Sequence, residues 1–123
     1  MRVLVVEDEV LIAVALEESL QDFGHEVIGP YKRVREALDA ARNEALDAAV
    51  LDVNLRDEVV FPVADALKAR GVPFVFCTGY AEMQLIPEAF SAFPCLSKPC
   101  APEKVLAALQ AVSTPELRRA SAY

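Results

Sequence analysis

Five residues from four separated places in the chain could act together if folding gathers them: Glu7 with Asp8, then Asp52, Thr78 and Lys98. Three carboxylates in one place repel. Two of them ~5 Å apart do so by roughly 3 kcal/mol at an effective dielectric of about 20, so the cluster needs cations or raised pKa values. Oxygen donors without a convergent His or Cys select a hard divalent ion, and Mg²⁺, which keeps several of its waters, suits a few carboxylates better than a calcium cage would. A metal and an ammonium around a carboxylate equip it for phosphoryl transfer, in which charge spreads over three equatorial oxygens and the protein positions and neutralises. In that chemistry Asp52 is the nucleophile and forms an acyl phosphate, while Lys98 and the Thr78 hydroxyl contact phosphoryl oxygens.

The elements that would position these groups are legible as short apolar runs alternating with helical periodicity. Strands are expected at 2–6, 25–30, 48–51, 72–77 and 94–97, with Gly29-Pro30 read as a breaker that ends the second. Helices are expected after Glu9, where Ile12, Leu16, Leu20 and Phe23 recur before Gly24, then over 34–45, 59–70 and 102–112. Asp8 is a candidate cap for the first. Residues 54–58 read as loop, and Pro87 limits 81–93 to a short or irregular helix. Five buried strands alternating with helices imply an α/β, doubly wound, five-stranded parallel sheet covered on both faces. Ligands of such sheets bind beyond the carboxyl ends of the strands, and that is where the five residues fall.

Composition narrows the function classes. A chain of 123 residues suits one domain, here 1–112 with a short tail over 113–123. Twelve basic against nineteen acidic residues, net −7, supply no cationic stripe for nucleic acid. The longest uncharged stretches, 71–81 and 105–115, fall short of the ~18 residues a membrane span needs. Three cysteines without C-x-x-C spacing fit neither a disulfide framework nor a zinc site, so they read as small core hydrophobes in a reducing cytoplasm, with Cys100 in a loop. A single histidine, His25, removes most triad schemes and reads as structural or solvated.

The stretches Val5-Val6-Glu7-Asp8-Glu9, Leu51-Asp52-Val53-Asn54-Leu55, Cys77-Thr78-Gly79-Tyr80 and Leu96-Ser97-Lys98-Pro99 together resemble the receiver domain of two-component response regulators, over residues 2 to about 112. The resemblance implies a flavodoxin-like fold and a phosphoacceptor at Asp52. It also implies Mg²⁺ held by Glu7, Asp8, Asp52 and the Asn54 backbone carbonyl, with Thr78 and Lys98 on the phosphoryl group. The implied donor is the phosphohistidine of a sensor histidine kinase, and the implied output is a partner protein or a phosphorelay. Such a protein is a signalling receiver that catalyses only its own phosphorylation and dephosphorylation. With no output unit in the short tail, a stand-alone receiver is expected.

Departures from the commonest receiver pattern are informative. Cys95 stands where most receivers carry the switching Tyr or Phe. The Phe74-Val75-Phe76-Cys77-Thr78-Gly79-Tyr80 stretch resembles the subgroup with a Phe-Ala-Thr-Gly-x-Tyr motif, often paired with kinases of the HWE or related type, here with Cys77 for Ala. Asp57 replaces a frequent Gly. Tyr80 has two open readings, as a shield over the phosphate or as a packing residue. Taken singly, Glu7-Asp8 is an ordinary helix start, Asp52 and Thr78-Gly79 are turns, and Lys98-Pro99 is loop punctuation. Two other functions compete with the receiver reading. One is a binding module of the same fold that needs no phosphorylation. The other is a small aspartyl phosphohydrolase, disfavoured because Asn54 rather than an acid stands two positions after Asp52.

Overall fold

The computed structural model describes residues 1–113, so nearly all of the expected tail lies outside the described residues. Five parallel strands make the sheet: β1 (Arg2–Val6), β2 (Glu26–Tyr31), β3 (Ala48–Leu51), β6 (Phe74–Thr78) and β7 (Cys95–Ser97), in spatial order β2-β1-β3-β6-β7. Helices α1 (Val10–Asp22), α2 (Val34–Asn43), α3 (Phe61–Ala69) and α4 (Pro102–Val112) join them, and β4 (Asn54–Leu55) with β5 (Glu58–Val59) forms a small antiparallel hairpin. Parallel neighbours require crossovers, and the pleat sends alternate residues to opposite faces. Leu4, Val6, Leu51, Phe74 and Phe76 pack on one face with Ala37, Ala41, Val63 and Leu67 of α2 and α3. Val3, Val5, Val50, Val75 and Cys77 pack on the other with Leu16, Leu20, Leu106 and Leu109 of α1 and α4. The doubly wound sheet expected from the apolar runs is therefore present.

Several local expectations give way to tertiary context. Gly29-Pro30 does not end β2, which continues to Tyr31 through an irregularity in its pairing with β1 between Leu4 and Val6. Residues 54–58 are not wholly loop. The hairpin turns at Arg56 and Asp57, and Arg56 rather than Asp57 takes the left-handed conformation, at φ 60°. Residues 81–93, by contrast, follow expectation: two 3-10 turns, Ala81–Leu85 and Glu88–Phe90, separated by Pro87, are the short, irregular helix predicted there. Phe90 is buried there, and Phe93 stacks on Phe74 at 3.9 Å between ring centroids, so aromatic packing holds this crossover to the sheet. Asp8 does not cap α1, whose N-cap is Glu9 without a side-chain cap bond.

Gly29 shows how tightly the active edge is built. Its φ is +103°, and a Cβ there would lie 2.8 Å from the Tyr31 nitrogen and 2.9 Å from the Val5 oxygen. Gly24 also has a positive φ, +84°, but open space around it. Gly24→Ala should cost about 1–2 kcal/mol from conformation alone, and Gly29→Ala clearly more, because backbone must also move. Urea unfolding of the two variants checks the order; equal losses would mean that the β1–β2 contact yields freely.

Candidate functional site

Because all five strands of the main sheet run the same way, their carboxyl ends meet at one edge, and backbone bonds fix the residues that follow. The Glu7 N–H donates to the Tyr31 carbonyl at 2.9 Å, the Asp52 N–H to Val6 at 2.9 Å, and the Lys98 N–H to Thr78 at 2.7 Å. Thr78 is the last residue of β6 rather than part of the following turn, and it is wholly buried. Its hydroxyl donates to Asp52 Oδ1 at 2.9 Å. On the other side the Lys98 ammonium donates to Asp52 Oδ2 at 3.0 Å and reaches Glu7 Oε1 at 3.0 Å. The buried Asp52 carboxylate thus lies between a hydroxyl and an ammonium.

Glu7, Asp8 and Asp52 each offer a carboxylate oxygen, all within 4.8 Å of one another. Glu7 and Asp52 are buried, whereas Asp8 is partly open. The Asn54 side chain is exposed, and the Asn54 backbone N–H points to Asp52 Oδ1 at 3.4 Å. All six residues singled out from the sequence therefore stand at this edge, five through their side chains and Asn54 through its backbone. A shallow cleft of about 130 Å³ opens over Asp52, lined by Glu9, Asn54, Thr78, Gly79, Glu82 and Lys98. A larger hollow, about 540 Å³, lies at Arg42, Asp65 and Arg70, where no strand end delivers a reactive group.

Sequence reasoning missed three neighbours. Glu9 comes within 3.8 Å of Lys98, Arg56 reaches within 3.9 Å of Asp8 from the hairpin, and Glu82 leans over Gly79 from the first 3-10 turn. None of them directly follows a strand of the main sheet, so the strand-end rule gave no signal. Tyr80 is exposed, at 76%, and neither shields the cleft nor packs inward. His25 sits at the opposite edge with Nδ1 3.1 Å from the N-terminal nitrogen, away from the site. Cys95 pairs in register with Phe76 and packs against the aromatic cluster. The cysteines are not all free core hydrophobes. Cys77 and Cys100 are disulfide-bonded, which removes the cysteine argument for a reducing compartment.

The electrostatics follow from burial. Burial pushes the Glu7 carboxyl up to about 7, the Glu9 N–H pulls it down, and the Asp52 charge adds to the rise. Burial works against the Lys98 charge, but its bonds to Asp52 and Glu7 outweigh that and hold the ammonium above its ordinary value. At an effective dielectric of about 20, each 3 Å ammonium–carboxylate contact contributes about 5 kcal/mol of attraction, which burying three ions at several kcal/mol each consumes. One ammonium leaves the acids under-neutralised. Hard oxygen donors in that condition fit a divalent cation of the magnesium class.

The model of the response regulator receiver domain matches residues 3–110. The chain belongs to the response regulator receiver domain family. The receiver is 34% identical over 110 residues to the phyllosphere-induced regulator PhyR of Methylorubrum extorquens, covering 87% of this chain and 41% of that protein. Among solved structures it resembles SdrG of Sphingomonas melonis Fr1, with TM-score 0.77, 41% identity and coverage of 89% and 96% of the two chains. It also resembles the non-phosphorylated HemR receiver domain of Leptospira biflexa, with TM-score 0.77, 30% identity and coverage of 92% and 94%. The chain spans less than half the length of the curated relatives it matches. As a receiver it is a signalling module and not a conventional enzyme, and none of its described helices is long and apolar enough to cross a membrane.

The raised Glu7 carboxyl sets a sign for stability against pH. Below pH 4.5 Glu7 is protonated folded and unfolded, so its ionisation has no effect. As pH rises to about 7 the unfolded chain releases this proton first, and the metal-free fold loses on the order of 3 kcal/mol relative to a chain without the shift. Urea midpoints of the metal-free receiver should fall relative to Glu7→Gln across that window. Parallel profiles for the two proteins would contradict the assignment.

Proposed function

We propose that this receiver accepts a phosphoryl group on Asp52 from the phosphohistidine of a sensor histidine kinase, and that the phosphorylated surface controls a partner protein or passes the group along a phosphorelay. The observation that carries this reading is the Asp52 carboxylate held between Thr78 Oγ1 and Lys98 Nζ beside two further acids. In the transfer, an Asp52 oxygen forms a bond to phosphorus while the phosphorus–nitrogen bond to the donor imidazole breaks, and the imidazole leaves with the electron pair. Lys98 follows the charge from the carboxylate to the phosphoryl oxygens, and the Thr78 hydroxyl turns its donation from Asp52 to the new group.

Glu7, Asp8, Asp52 and the Asn54 carbonyl would hold Mg²⁺, which when bound supplies neutralisation of phosphoryl charge. The Arg56 guanidinium near Asp8 would then give way or turn outward. Phosphorylation adds nearly two negative charges beside Lys98 and Thr78, and with Cys95 in place of an aromatic no ring at that position can relay the change. The response falls instead on the segment from Gly79 to Pro99, with a coupling of about 1–3 kcal/mol. We take residues 1–112 as the receiver unit, a kinase of the HWE or related type as donor, and the cytoplasm, where such donors present their phosphohistidine, as its place. Nucleic acid and membrane are not expected partners for a surface of net −7.

Incubation with acetyl phosphate and Mg²⁺ should add one phosphoryl mass, and Asp52→Ala or removal of the metal should abolish it. Thr78→Ala should slow the addition by about 10- to 100-fold, the cost of one donor aimed at developing charge. Unchanged labelling of Asp52→Ala would overturn the reading.

A further inference from the structure

We propose that Cys77 and Cys100 form a redox modification site that locks the segment between Thr78 and Pro99 against the sheet. The two residues lie 23 positions apart with Cα atoms 6.4 Å apart, within the span a disulfide requires. Each flanks a residue that touches Asp52. Cys77 precedes Thr78, and Cys100 follows Lys98 by two positions. Both 3-10 turns and β7 lie inside the loop the bond closes.

The two sulfurs differ in access, which sets the order of events. Cys77 is buried at 2%, whereas Cys100 is half-buried and lines an open apolar groove of about 220 Å³ with Leu11, Ile12, Leu16, Pro99 and Pro102. With glutathione disulfide as oxidant, the Cys100 thiolate attacks one sulfur and releases the first glutathione thiolate. The Cys77 sulfur then attacks Cys100 Sγ of the mixed disulfide and releases the second. Two electrons pass to the oxidant, and the two cysteine protons end on the two glutathione thiols. Cys95 stays out of this exchange because it packs on the opposite face of the sheet from Cys77 and Cys100. Burial also raises its thiol pKa, which disfavours the attacking thiolate.

Oxidised, the bond fixes the chain on both sides of the Asp52 pocket; reduced, the β6–β7 ladder, packing, the Lys98 contacts and the Lys68 bond to the Ala89 carbonyl hold it. The full chain equilibrated with glutathione disulfide should show one alkylatable cysteine, Cys95, and a linked 77–100 peptide pair, against three alkylatable cysteines after dithiothreitol. Amide exchange over 79–99 should be at least about threefold slower in the oxidised form, and Cys100→Ser should exchange like the reduced protein under both conditions. Three labelled cysteines after oxidation, a bridge containing Cys95, or equal exchange in the two forms would overturn the proposal. Its effect on signalling rests on the reading of Asp52 above. Reduction should slow acetyl phosphate labelling at least about threefold, because Lys98 and Thr78 lose preorganisation, and equal labelling overturns that link. If neither form is labelled, the Asp52 reading fails while peptide mapping and exchange still decide the bridge.

Discussion

A single ammonium, on Lys98, lies within 3.0 Å of both Asp52 and Glu7, two carboxylates buried at the end of a sheet. The parallel strands would lose their site without it, since two buried acids facing each other would protonate or separate. With it, the acids remain close but not fully neutralised, because burial costs roughly as much as the contacts return. The result is a pocket that is stable enough to fold and still short of positive charge. In the function proposed above, a divalent ion would add charge to that deficit and a phosphoryl group would use it.

Topology supplies the rest. The order β2-β1-β3-β6-β7 puts β1 and β3 side by side at the middle of the sheet, so Glu7, Asp8 and Asp52 are brought together by the ladder itself. β6 and β7 then present Thr78 and Lys98 from one side, linked by the short bond from the Lys98 N–H to the Thr78 carbonyl. The half of the molecule beyond β6 differs in construction from the rest. Its crossover is two 3-10 turns pinned by Phe90 and Phe93, with exposed Tyr80 and Leu85 at its surface. In the function proposed above, a charge change at Asp52 would reach this side through Thr78 and Lys98, which both touch that carboxylate.

Much of the site was legible in the sequence because it depends on two periodicities and one rule. Short apolar runs at 2–6 and 48–51 marked central strands, and the residue after each such run falls at the ligand edge whatever the helices do. The features that escaped depend on contacts between distant segments. Gly29-Pro30 looks like a stop locally, yet pairing with β1 carries the strand through it. Arg56 and Glu82 reach the edge from a hairpin and a 3-10 turn that apolar periodicity does not reveal. The Cys77–Cys100 bond was invisible because neither spacing nor count distinguishes a bonded pair from three separate thiols. Asp8 was placed at the right edge but given a capping role, whereas the N-cap position is Glu9's and carries no side-chain cap bond.

The central claim is that Asp52, Thr78 and Lys98 converge on one phosphoryl group, and a structure determined with Mg²⁺ and beryllium fluoride, a stable phosphoryl mimic, tests it most directly. The account predicts the mimic attached to an Asp52 oxygen, with Lys98 Nζ and Thr78 Oγ1 each in hydrogen-bond contact with a fluorine and the metal among Glu7, Asp8 and Asp52. A mimic attached to another carboxylate, or one on Asp52 with the lysine still bound to Glu7 and the hydroxyl turned away, would contradict it.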